Sequence, residues 1–179
     1  MPPKTWKTIS SRPVYQNPWT SVREDIAEMP NGKTTLYGVV ECADCVGILP
    51  FVDESHVVMV RQYRYVFGEN QRWEMPTGGV RPAETLLDAA HRELREEVGY
   101  DAALLDYVNT YYTSKSIMHE IAHLYIGRNL TQVQAVPDET EFLEIEVFPF
   151  ASVIQMVLES EIRDGMTILA VLLAARQLG

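Results

Sequence analysis

The sequence predicts an α/β protein: a sandwich of helices on both faces of a mixed β-sheet, preceded by an N-terminal β-hairpin. Three features carry that prediction. Alternating apolar and polar residues run from Val14 to Val40, β-branched and aromatic runs follow at Val46–Val52 and Val57–Tyr65, and a glycine-preceded helical pattern spans Glu84 to Val98.

The alternation between Val14 and Val40 is interrupted by Met29-Pro30-Asn31-Gly32, a turn signal between two strand-like arms. Val46–Val52 and Val57–Tyr65 are separated by Asp53-Glu54-Ser55 and read as strands of the sheet core. Trp73-Glu74-Met75-Pro76 then leads into Gly78-Gly79, and Pro82 precedes the helix, which stops at Gly99. Further strands are expected at Leu104–Thr113, Ile121–Gly127 and Leu143–Pro149. Two closing helices are expected at Ala151–Leu158 and Thr167–Leu178, divided by Arg163-Asp164-Gly165. The 179 residues suit one domain, with residues 1–45 as an extension and 46–179 as the core.

The formal net charge of −10 argues against bulk-charge binding to nucleic acid or to an anionic membrane. An anionic substrate would need local cations. Cys42 and Cys45 form a lone pair without a second, so buried or half-buried thiols are expected rather than a disulfide framework. Met1–Ser10 has no signal-peptide pattern, and the apolar stretch Met166–Ala175 is too short to span a bilayer, so a cytoplasmic location is expected.

The chemistry concentrates on the helix. At about 100° per residue, Leu87, Ala90, Leu94 and Val98 are expected to form a buried stripe, with Glu93, Glu96 and Glu97 facing outward opposite it. Like charges at these spacings disfavour an isolated helix by a few tenths of a kcal/mol per pair, roughly. A bound cation reverses that sign. A solvated acidic face is the plain alternative for Arg-Glu-Leu-Arg-Glu-Glu alone.

The full spacing goes further. Gly78 is followed after five residues by Glu84, and after seven more by Arg92-Glu93-Leu94, Arg95, Glu96-Glu97, Val98, Gly99 and Tyr100. This stretch resembles the box of the Nudix hydrolases, with Tyr100 standing where that family usually has an aliphatic residue. The resemblance implies hydrolysis of a nucleoside diphosphate linked to another moiety, with Mg2+ or Mn2+ as cofactor. It implies Glu93 and Glu97 as principal metal ligands, Glu96 as a further one, and the carbonyl of Thr77 or Gly78 as another oxygen donor. It also implies an Arg92–Glu84 pair that fixes the loop to the helix. Hard oxygen donors of this kind suit Mg2+ or Mn2+ better than Zn2+. In related enzymes a carboxylate in a loop after the box serves the attacking water; Glu139 and Glu141 are the candidates here.

Outside the box, Val60-Arg61-Gln62-Tyr63-Arg64, Arg72-Trp73-Glu74-Met75-Pro76 and Ile162-Arg163-Asp164-Gly165-Met166-Thr167 resemble the branch acting on ADP-ribose and nucleotide sugars. That likeness makes Arg64 and Arg61 candidates for the substrate phosphates. Ser114-Lys115-Ser116 stands where the ADP-ribose enzymes carry a proline, which puts ADP-ribose itself in question and makes Lys115 a candidate phosphate contact. Glu120 is a further candidate. Trp19, Tyr15 and Trp73 are candidate stacking surfaces for a base. As in related enzymes, the N-terminal hairpin is expected to build a homodimer.

Two rivals differ in class. His119-Glu120-Ile121-Ala122-His123 matches a zinc-peptidase pattern, but that chemistry requires a helix. The flanking residues are β-like, and in a strand the two histidines would stand about 13 Å apart. A catalytically silent nucleotide-binding module is the other rival; such modules often lose the carboxylates that are intact here.

Overall fold

The structure, a computed structural model, describes residues 4–70, 72–134 and 142–178. The chain divides into two compact units, one of Met1–Asp44 with Tyr112–Ile121, the other of Cys45–Tyr111 with Ala122–Gly179.

In the first unit, β1 (Lys7–Gln16), β2 (Thr20–Glu28) and β3 (Thr34–Cys42) form an antiparallel meander. The expected hairpin is therefore three-stranded. The additional turn lies at Asn17-Pro18-Trp19, where the Asn17 side-chain oxygen accepts from the backbone N–H of Trp19 at 2.9 Å and of Thr20 at 2.7 Å. The turn expected from Met29 onward joins β2 to β3.

The second unit begins with β4 (Cys45–Pro50), β5 (His56–Arg61), and a short hairpin of β6 (Tyr63–Arg64) and β7 (Glu69–Asn70). Next come β8 (Thr77–Gly79) and helix α1 (Leu86–Glu93), which continues as a π-helical turn over Leu94–Val98. Thr85 caps the helix by accepting from the Asp88 N–H at 3.1 Å. Gly99 ends the π turn in the left-handed conformation at φ 68°, where a Cβ would be strained.

Strand β9 (Tyr100–Tyr112) follows, then β10 (Met118–His119), which pairs parallel with β3 in the first unit. The chain closes with β11 (Ile121–Gln132), β12 (Glu144–Pro149), α2 (Phe150–Leu158) and α3 (Gly165–Leu178). The principal sheet has the order β8-β4-β11-β9 and is mixed, since β4 runs antiparallel to β8 and parallel to β11. Strand β12 pairs antiparallel with β5.

Side-chain alternation divides the core into two layers. Val46, Ile48, Val58 and Val60 pack with Ala89, Ala90, Leu94 and Val98 of the box helix. Their chain neighbours Leu49, Val57 and Met59 pack on the opposite face with α2 and α3, against Phe150, Val153, Val171 and Ala174. Full burial of one such aliphatic side chain contributes about 2 kcal/mol. The result is the α/β/α sandwich, with α1 on one face and the C-terminal helices on the other.

Candidate active site

The glycine loop and the box helix are joined by Arg92. Its guanidinium donates to Glu84 through Nε at 2.8 Å and Nη2 at 2.9 Å, and to the Gly79 carbonyl at 2.8 Å. Through Nη1 it also reaches Glu96 at 3.1 Å and Glu93. The Arg92 hydrogen bonds hold the Glu84 carboxyl down at about 2, well below its ordinary value, and the same bonds raise the Arg92 guanidinium further.

Two carboxylates sit deeper than the helical wheel suggests. Glu93 is 6% and Glu97 is 2% exposed, whereas Leu87, assigned to the buried stripe, is 49% exposed. Leu86 packs on the core instead. The outward-facing expectation for Glu93 and Glu97 is thus corrected. Each follows a buried apolar residue by three positions, about 60° around the helix, so the pair flanks the stripe rather than opposing it. The π-helical turn carries Glu96 and Glu97 and changes the 100° count just where it matters.

The glycine loop is shaped to these carboxylates. A Cβ on Gly78 would overlap the Glu93 carboxylate, so only glycine allows the close approach. The Thr77 N–H donates to Glu97 at 3.1 Å. Arg81 reaches Glu96 at 3.3 Å. Among the described residues no three His, Cys, Asp or Glu side chains form a ready-made metal cage. The donor chemistry still fits Mg2+ or Mn2+, because the Glu93 and Glu97 carboxylates stand against an oxygen-bearing glycine loop, with Glu96 on the same helical turn.

Beside Thr77 opens a cleft of about 500 Å3, lined among others by Arg64, Phe67, Glu74, Arg163 and Asp164. Arg64 donates to the buried Glu74 carboxylate through Nε at 3.0 Å and Nη2 at 2.5 Å. Burial pushes the Glu74 carboxyl up, Arg64 opposes that, and Asp164 adds to it. Asp164 accepts from the Thr167 N–H at 2.7 Å and hydroxyl at 2.6 Å. The same hydroxyl oxygen accepts from the Met75 N–H at 3.0 Å. A fully buried threonine therefore ties the start of α3 to the segment entering the glycine loop.

The remaining expected residues are dispersed. Arg61 lies over the Trp73 ring, 4.8 Å from its centroid, and pairs with Glu144, so it does not join Arg64 in the cleft. Trp73 also packs edge-on against Phe148 at 4.9 Å. In the first unit, Trp19 is 80% exposed at the β1–β2 turn and Tyr15 is exposed on β1. Lys115 is exposed and lines a separate cavity of about 310 Å3 with Tyr37 and Tyr112, and the Glu120 carbonyl accepts from the Thr113 N–H. Glu139 and Glu141 lie outside the described residues.

Phe67 is marked by no sequence signal, and Asp164 and Thr167, though part of the Ile162–Thr167 stretch that resembles the ADP-ribose branch, receive no individual role from the sequence. The spacing of Asp164 and Thr167 ahead of an apolar run is a helix-capping signal that points to them. His119 and His123 sit on β10 and β11, where His119 meets Glu41 at 2.7 Å and His123 meets Thr110 at 2.9 Å. They share no helix, which removes the zinc-peptidase geometry. Cys42 and Cys45 form no disulfide.

A mixed-sheet sandwich thus sets two buried carboxylates against a glycine loop. The NUDIX domain model matches residues 43–167, and that of the nucleoside diphosphate sugar hydrolase N-terminal domain matches residues 6–40. The chain belongs to the Nudix hydrolase family and is a pyrophosphohydrolase. It is 30% identical to the methanol dehydrogenase activator of Bacillus methanolicus, over 92% of this chain and 90% of that one. It is 29% identical to an ADP-ribose pyrophosphatase of Bacillus subtilis, with the same coverage. An ADP-ribose pyrophosphatase of Mycobacterium tuberculosis is 31% identical over 93% of this chain and 82% of its own. The crystal structure of an ADP compounds hydrolase shares the fold, with a TM-score of 0.86 over 98% of this chain and 95% of that one at 22% identity.

Proposed function

We infer that the enzyme hydrolyses, with Mg2+ or Mn2+, the pyrophosphate of a nucleoside diphosphate linked to another moiety, ADP-ribose or a nucleotide sugar. The observation that carries this reading is the fit of Glu93 onto Gly78 beside a cleft lined by Arg64 and Arg163. The relatives called ADP-ribose pyrophosphatases and the match of residues 6–40 support the substrate class.

Glu93, Glu96, Glu97 and the carbonyls of Thr77 and Gly78 would hold the cation. When bound, it supplies Lewis acidity and charge neutralisation at the pyrophosphate. Arg92 positions the carboxylates, and Arg64 binds a phosphate in the cleft. Glu139 or Glu141 takes a proton from the attacking water, whose oxygen displaces one phosphate from the other across the anhydride. Lys115 and Glu120 are assigned to substrate binding, and Trp19 to base stacking. The acidic charge balance favours a small-molecule substrate over nucleic acid or membrane.

A homodimer is proposed through the N-terminal unit, where Ile9, Val14, Tyr15 and Leu36 are exposed apolar residues on β1 and β3. No helix among the described residues is long and apolar enough to cross a membrane; the proposed location is cytoplasmic.

The test is product analysis on a panel of nucleoside diphosphate compounds with Mg2+, Mn2+ or chelator, run beside Lys115→Pro. Cation-dependent cleavage of ADP-ribose or a nucleotide sugar is expected, with Lys115→Pro changing the preference between them. Absence of turnover across the panel, or turnover unaffected by chelator, would overturn the reading.

A further inference from the structure

The N-terminal unit contains a cavity of about 280 Å3 lined by Trp6, Thr8, Asp25, Ala27 and Tyr37. Strand register explains its construction. Asp25 stands opposite Tyr37, and Ala27 opposite Thr8, so residues two apart on β2 place their side chains on one face with those of both neighbouring strands. Trp6, just before β1, meets Tyr37 edge-on, with ring centroids 6.2 Å apart and an interplanar angle of 83°. The two rings meet as a corner.

Asp25 is only 5% exposed, yet its Oδ1 has no hydrogen-bond partner among the described residues. Its Oδ2 accepts from Arg23 at 2.8 Å, and the same guanidinium donates to Glu41 at 3.0 Å. Arg23 is thus shared between Asp25 and Glu41, the latter also meeting His119, and its bond to Asp25 reaches Oδ2 alone. A buried carboxylate oxygen without a partner is costly, and an N–H donor carrying positive charge removes that cost most fully. Aromatic rings set at right angles beside it favour the same kind of guest through their electron-rich faces.

We propose that the Trp6–Asp25–Tyr37 cavity is a binding site for an organic ammonium group, which donates an N–H to the Asp25 carboxylate while its apolar body lies in the aromatic corner. The site is composed entirely of the N-terminal unit and stands independently of the hydrolytic reading.

The test is a nuclear magnetic resonance titration of the full-length protein with benzylammonium and with its neutral isostere benzyl alcohol, following the Trp6 indole N–H. Saturable shifts with benzylammonium are expected, with benzyl alcohol weaker by at least about tenfold. Asp25→Asn retains the shape but not the charge, and should weaken benzylammonium to a similar degree. Should that variant fail to fold, Trp6→Ala alters an exposed ring and should weaken the response of the Asp25 and Ala27 amide signals. Equal binding of the two probes, unchanged affinity in a folded Asp25→Asn, or no saturable shift at all would overturn the assignment. In the event that Asp25→Asn does not fold, unchanged affinity in Trp6→Ala would do so.

Discussion

The Glu93 carboxylate rests on the backbone of Gly78 so closely that no Cβ fits between them. Gly78→Ala must therefore displace the Glu93 carboxylate from the loop, and because those atoms end a flexible side chain a loss of about 1 kcal/mol is expected, at the low end for overpacked sites. Gly78→Ala combined with Glu93→Ala removes the clash. Its urea midpoint should lie above the value obtained by adding the two single effects. Strict additivity would contradict the contact.

Glu97 is buried and accepts from the Thr77 N–H. Glutamine retains an acceptor for that bond but loses the charge, so Glu97→Gln should leave the thermal midpoint nearly unchanged. Turnover should fall by about two orders of magnitude or more. Steady-state kinetics beside a melting curve check both halves.

Thr167 satisfies the Met75 N–H and donates to Asp164. Thr167→Val leaves a buried amide without its acceptor and should cost about 1–3 kcal/mol. Thr167→Ser restores the hydroxyl and should recover most of that loss. Chemical denaturation of the two variants distinguishes the hydrogen bond from the volume of the side chain.

The Glu84 carboxyl is lowered from its ordinary 4.5 to about 2 by its bonds with Arg92. Because the folded value is depressed, its contribution to stability is complete above 4.5 and disappears as the pH falls through about 2. The stability difference between the parent and Glu84→Gln should accordingly be flat at neutral pH and shrink between those limits. Urea midpoints across the acid range provide the measurement.

The longer strands of the second unit are legible because alternation and β-branched runs mark a half-buried or fully buried pleat directly, but Val57–Tyr65 divides after Arg61, and the short β6, β7 and β8 leave no such signal. The box helix was legible in its ends, through the glycines and Pro82, but not in its facing. Whether Leu87 or Glu93 is buried depends on what packs there and on a π-helical turn that periodicity does not register. The additional N-terminal strand, β1, is not set apart by alternation, which runs on from Val14 into β2; only Asn17-Pro18 carries its turn signal. The Thr167–Met75 link joins positions 92 residues apart, and local spacing contains no information about such a partner. The same limit applies to Asp25, whose burial arises from register with Tyr37 rather than from its own neighbours.

Successive residues of β4 and β5 belong to different layers of the core: Ile48 faces the box helix, while Leu49 faces the C-terminal helices. The sheet consequently works as a partition. Sequence can drift on the C-terminal side, residue by residue, without transmitting its volume changes to the carboxylates. Asp164 and Thr167 are where the C-terminal side reaches the segment entering the glycine loop and the cleft beside it, and there selection on the two sides is bound together.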